Sequence, residues 1–120
     1  MKISEYSEQC VVFQWVKLHK KKYPELKWLF STLNGVKLNI GQAVKAKKSG
    51  MKAGVSDIIL PAKNNKYSGL FIELKVGKNK PSKEQLEFIE FTRSQGFYSQ
   101  VSYGSVEAID LIVDYLEGNL

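Results

Sequence analysis

The sequence predicts an α/β protein, a three-layer sandwich with helices on both faces of a mixed, mainly four-stranded sheet. Three observations carry this reading. Apolar residues recur at helical spacing near both ends of the chain. Two short apolar runs, Ile58-Ile59-Leu60 and Gly69-Leu70-Phe71-Ile72, are separated by turn residues, as buried strands are. Helix-like and strand-like segments alternate along the chain. The 120 residues are expected to form one domain, 1–120, long enough for a core of its own.

Each element has its own signal. Ser4 caps a helix predicted over 5–22, with Val11, Val12, Trp15 and Leu18 on its apolar face and Lys20 to Lys22 at its C-terminus, where cations suit the dipole. Pro24 lies just beyond. Trp28 to Leu33 is aromatic and β-prone and reads as a strand ending at Asn34-Gly35. Residues 40–49 read as a helix, with Gly50 at C′. The hairpin 56–75 follows, turning at Asn64-Asn65. Ser82 and Gln85 fit a capping box, opening a helix that runs to Gly96. Residues 97–103 alternate as a strand. Ser105 then caps a last helix, with Ala108, Ile109, Ile112, Val113 and Leu116 facing inward. The order of the edge strands is not legible.

Charge divides the chain. Residues 1–83 carry seventeen lysines against five acids, or +12, and residues 84–120 carry Arg93 against seven acids, or −6. Between Glu25 and Asp57 there are six lysines and no acid. A one-signed field of this kind attracts a polyanion, and Lys45, Lys47, Lys48 and Lys52 lead directly to Asp57. No apolar run approaches the roughly 20 residues of a membrane span, and no signal-peptide core follows the N-terminus, so no membrane association is expected. The single cysteine, Cys10, fits a reducing cytoplasm. His19 sits among lysines and reads as a surface residue. Tyr98 and Tyr103 are candidates for stacking on bases or for packing within the sheet.

The sharpest signal is Asp57 followed by Glu73-Leu74-Lys75. A hairpin centred on Asn65 sets position 57 opposite position 73, with Cβ atoms about 5 Å apart. Two carboxylates at that distance repel, and a divalent cation would turn the repulsion into attraction. Lys75 emerges on the same face as Glu73, two residues on. Two acids and a lysine at one point suggest metal-assisted phosphodiester cleavage. A surface ion pair is the bland reading of Glu73 and Lys75, but the apolar flanks argue against it.

Taken together, these residues resemble the PD-(D/E)XK nuclease superfamily, with its restriction-endonuclease-like fold, and in finer detail its VRR-NUC branch. Glu8-Gln9, Asn34-Gly35, Gly54-Val55-Ser56-Asp57, Gly69 to Lys75, Ser82 with Gln85, Gly96-Phe97 and Glu107-Ala108 carry the resemblance. Position 56, commonly proline in this branch, is Ser56. The chain's size suggests a stand-alone member of phage or bacterial type, placed in the cytoplasm of a bacterial cell or an infected host.

The resemblance implies roles residue by residue. Asp57 and Glu73, with the backbone carbonyl of Leu74, would hold Mg²⁺ or Mn²⁺, which oxygen ligands favour. Lys75 would act on the attacking water and the phosphate. Gln85 would position the lysine or water, in competition with its own capping box. Glu8 would add a metal ligand from the first helix, with Glu5 as its rival. Asn34-Gly35 would shape the approach of the phosphate. The implied activity is a DNA endonuclease for branched or four-way-junction substrates, working as a homodimer. A non-catalytic nucleic-acid-binding module on the same fold is the alternative. A membrane-surface or partner-binding protein using the basic first helix would explain Lys20 to Lys22 but not Asp57 and Glu73.

Overall fold

The computed structural model describes residues 3–32 and 37–120. Helix α1 spans Glu5–His19, and a 3₁₀ turn spans Pro24–Trp28. Strand β1 (Phe30–Ser31) and helix α2 (Ile40–Lys48) follow. Strands β2 (Ile58–Leu60) and β3 (Leu70–Lys75) form the hairpin. Helix α3 (Lys83–Ser94), strand β4 (Tyr98–Tyr103) and helix α4 (Gly104–Leu116) complete the chain. The sheet runs β1-β2-β3-β4, antiparallel between the first three strands and parallel between β3 and β4. Helices cover both faces, giving the expected three-layer α/β arrangement with a mixed four-stranded sheet.

The period of two along β3 sorts its side chains between layers. Leu70, Ile72 and Leu74 enter the main core with Ile58 and Leu60. There they meet Val12 and Val16 of α1 and Ala108, Ile112 and Tyr115 of α4. Phe71 faces the other way. It packs edge-on against Phe88 of α3 and against Phe97, with ring centroids 5.5 and 5.1 Å away. Glu73 and Lys75 continue on the Phe71 side, under α3.

Several expectations need correction. The first helix stops at His19 and not at 22. Its core positions are Val12 and Val16, whereas Val11 and Leu18 are exposed. The strand expected over Trp28–Leu33 shrinks to Phe30–Ser31. Pro24 sits in the first turn of a 3₁₀ helix that takes Trp28, and the fixed φ of proline favours that start. Asn34-Gly35 lies outside the described residues. Ser105 is inside the first turn of α4, not its cap. Tyr115 joins the inner face of α4 beyond the residues expected there. It is fully buried, and its hydroxyl donates to the Ala62 carbonyl at 2.7 Å. Asn64 makes the hairpin turn as expected: its Oδ1 accepts from the Lys66 and Tyr67 amides at 2.9 and 2.7 Å.

Candidate active site

The register of the hairpin pairs Ile58 with Ile72, which carries Asp57 opposite Glu73 one step on. Asp57 lies just outside β2, where the ladder ends. Its side chain replaces the missing ladder bond, with Oδ2 accepting from the Leu74 amide at 2.8 Å. Leu74's N–H therefore faces the Asp57 side, and in a strand the carbonyl of the same residue faces that way too. Asp57 and Glu73 are then a non-hydrogen-bonded pair, the kind whose Cα atoms approach to about 4.5 Å. The backbone before Asp57 is fixed by β1. Thr32 donates its amide to the Asp57 carbonyl at 2.9 Å and its hydroxyl to the Ser56 carbonyl at 2.8 Å.

Glu73 is the most constrained member. Its carboxylate is 1% exposed. Oε2 accepts from Gln85 Nε2 at 3.2 Å and lies 3.6 Å from Lys75 Nζ, whereas Oε1 is buried with no donor. Burial pushes the carboxyl up to about 9. The hydrogen bond and repulsion of Asp57 add to the shift, Lys75 opposes it, and Glu5 adds a further push. In the metal-free protein, Glu73 thus keeps its proton at neutral pH.

Gln85, read from the sequence as divided between its cap and the site, serves both in full. Its Oε1 accepts from the Ser82 amide at 2.8 Å, completing the capping box, while Nε2 turns to Glu73. The two ends of one amide carry opposite hydrogen-bonding roles, so both bonds form together. Helix α3 reaches the site because Gly54 lets the preceding loop press against it. Gly54 is buried with φ +89°, and a Cβ there would lie 2.8 Å from backbone atoms of Glu84.

Glu8 also has a part in the fold. Its Oε1 accepts from the Ser105 amide and hydroxyl at 2.9 and 3.2 Å, so it caps α4 from 97 residues away. Glu5 accepts from Asn79 at 3.3 Å and is the helix-1 acid whose charge reaches Glu73. The structure thus gathers Asp57, Glu73, Leu74, Lys75 and Gln85, with Glu5 and Glu8 on the adjoining wall. Lys45, Lys47, Lys48 and Lys52 lie outside this cluster, at or near the surface. None of the four forms an ion pair among the described residues. Thr32 and Asn79 support the site and escape a reading of the sequence: one lies inside a predicted strand and the other in a polar loop, with no local signal.

The donor set is all oxygen: two facing carboxylates, that of Glu73 with one unpartnered oxygen, and the Leu74 carbonyl on the Asp57 side of its strand. That fits a hard divalent cation. Among the described residues no cluster of three or more His, Cys, Asp or Glu side chains forms a cage. An incomplete protein shell is what Mg²⁺ tolerates, since it keeps waters and binds substrate phosphate.

This hairpin of paired acids and lysine, under a helix on a mixed sheet, defines a domain related to the PD-(D/E)XK restriction-endonuclease-like nucleases. The comparison with protein families gives the finer placement: residues 2–106 match the VRR-NUC domain, and the chain belongs to that family. A solved structure described as a VRR_NUC domain protein is similar at 29% identity and a TM-score of 0.82, covering 98% of this chain and 91% of the other. No curated protein matches.

Proposed function

We propose that this protein is a divalent-metal-dependent DNA endonuclease, selective for branched or four-way-junction DNA and working as a homodimer. The observation that supports it most is Glu73: a buried carboxyl with one unpartnered oxygen, facing Asp57 and touched by Lys75. A site built for stability alone would leave no such oxygen, because burying a polar atom without a hydrogen-bond partner is costly. Asp57, Glu73 and the Leu74 carbonyl would hold Mg²⁺ or Mn²⁺, with Glu5 or Glu8 available to a second ion. When bound, such an ion supplies positive charge to the scissile phosphate and acidifies water.

The chain's own residues do the remaining work. Gln85 and the Leu74 amide fix the two carboxylates, so the ligands need little reorganisation. The Lys75 ammonium, on a residue only 8% exposed, stabilises charge gathering on the phosphate and orients the attacking water. The lysines of α2 and Lys52 hold the nucleic-acid backbone without reading bases. A two-fold dimer would supply the two coordinated cuts that a duplex or junction requires.

The test is incubation of the pure protein with plasmid, flap and four-way-junction DNA in Mg²⁺, Mn²⁺ and EDTA. Metal-dependent cleavage, strongest on branched DNA, is expected. Folded protein that cuts nothing would sink the enzyme reading. Metal-free binding unaffected by Asp57→Ala would then favour a non-catalytic binding module. Light scattering at working concentration tests the dimer.

A further inference from the structure

A cavity of about 720 Å³ opens just beyond Lys75, and of its lining the chemistry above draws only on Glu5 and Glu8, the candidates for a second ion. It begins where β3 ends. Val76 and Lys78, which follow Lys75, line it together with Tyr103, the β4 neighbour of Lys75 in the sheet register. Ile3, Glu5 and Glu8 close it from the N-terminal side. The walls are held in place. Tyr103 donates its hydroxyl to the Asn79 carbonyl at 2.9 Å, and Asn79 donates its side-chain amide to Glu5 at 3.3 Å. Glu8 is fixed by the first turn of α4.

The lining selects the ligand chemically. Among the described residues the lining carries two carboxylates against one lysine, which disfavours a phosphate in the interior. They accept hydrogen bonds from an uncharged group that carries N–H donors. Ile3, Val76 and the Tyr103 ring offer flat apolar surface, and Tyr103 remains 39% exposed. A nucleobase has this combination of apolar faces and donor edge, and the volume suits one nucleotide. A base within a duplex does not enter, because its faces are stacked and its edge is paired.

We propose that the cavity takes one unpaired nucleotide adjoining the scissile phosphate, its base against Tyr103, its donor edge toward Glu5, and its outer phosphate near Lys78. This rests on the nuclease reading and deepens it. Preference for branched DNA would then arise because a branch supplies an unpaired nucleotide beside a duplex. Adenine, cytosine and guanine, which carry amino groups, would be preferred there over thymine.

The experiment needs no cleavage. Full-length protein in EDTA is mixed with flap and junction DNA carrying 2-aminopurine at successive positions around the branch. One position is expected to lose fluorescence on binding through stacking on tyrosine, while paired positions a few nucleotides away stay unchanged. An abasic nucleotide at that position should weaken binding about 5- to 100-fold, the range of a single base–aromatic stack. Tyr103→Leu should abolish the quench, and Tyr103→Phe, which keeps the ring but loses the bond to Asn79, should retain it. Uniform fluorescence at all positions, or equal affinity for abasic and intact DNA, would overturn the proposal, as would failure to bind DNA at all. The two readings separate cleanly. A protein that cuts in Mg²⁺ but ignores the abasic site keeps the nuclease and loses the pocket. One that quenches but never cuts keeps the pocket and loses the nuclease.

Discussion

The acid pair and the basic helix lie on either side of a single loop, yet they are built on opposite principles. Around Glu73 the neighbours are themselves fixed. Asp57 is held by the Leu74 amide and, through its backbone, by Thr32; Gln85 is held by Ser82. Helix α2 has no fully buried residue, and its lysines are exposed in its last turn. Its own caps hold it: Asn39 and Gln42 form a capping box, and Gly50 follows with φ +104°. The contrast separates two kinds of demand. Bond cleavage requires groups placed to within a fraction of an ångström, so their supports must be rigid. Holding a phosphate backbone requires only charge in the right region, and charge acts over a Debye length of about 8 Å.

The contrast predicts where substitutions act. The largest effects belong to the acid pair and its lysine. Asp57→Asn, Glu73→Gln and Lys75→Ala should each lower single-turnover cleavage by about a hundredfold or more. Calorimetry with Mn²⁺ should show weaker metal binding for the first two and nearly unchanged binding for the third. A Lys75→Ala protein cutting at the wild-type rate would break the assignment of lysine to chemistry.

Next in size is a pH effect on stability. Between the ordinary carboxylate value of 4.5 and about 9, the unfolded chain has lost the Glu73 proton while the folded protein keeps it. The folded state binds more protons, so stability falls as pH rises through that window and levels off above it. The slope is at most about 1.4 kcal/mol per pH unit. Urea titrations in EDTA at pH 5, 7 and 9 should show the decline, and Glu73→Gln should flatten it. An equal slope in the variant would mean that other groups set the pH dependence.

A smaller structural effect is expected at the loop that brings α3 to the site. Gly54→Ala meets backbone at 2.8 Å and forces a side chain onto a positive φ, so it should destabilise the fold by about 1–3 kcal/mol. It should also loosen metal binding, because Gln85 would shift with its helix. A thermal melt and a metal titration on the same sample check both halves.

The smallest effect on stability belongs to α2. Lys47→Ala with Lys48→Ala should leave stability within about 0.5 kcal/mol. The slope of log affinity against log salt should flatten by about two units, with the chemical step on saturated enzyme unchanged. An unchanged slope would move the phosphate contacts to Lys78, Lys80 and Lys83, beyond β3.

Local rules explain what is legible in the sequence. The pairing of 57 with 73 follows from two apolar runs and a turn residue between them. The start of α3 follows from Ser82 and Gln85, and the end of α2 from Gly50. What escapes is set at long range. Ser105 has the chemistry of a cap, but Glu8, distant in sequence, reaches α4 first. Trp28 has β propensity, but Pro24 commits its segment to a 3₁₀ turn. Gln85 reads as choosing between two partners because a sequence does not show that those partners lie at opposite ends of one amide.

That amide has a consequence for which residues position 85 admits. Glutamate is an accepted third member of a capping box and favours a helix N-terminus by its charge. At most helix starts, the two residues are interchangeable. Here Gln85→Glu would keep the bond to Ser82 yet set a third carboxylate against Glu73, replacing a donor with a repulsive acceptor. The helix signal permits two letters at this position; the buried acid beneath it narrows the choice to one.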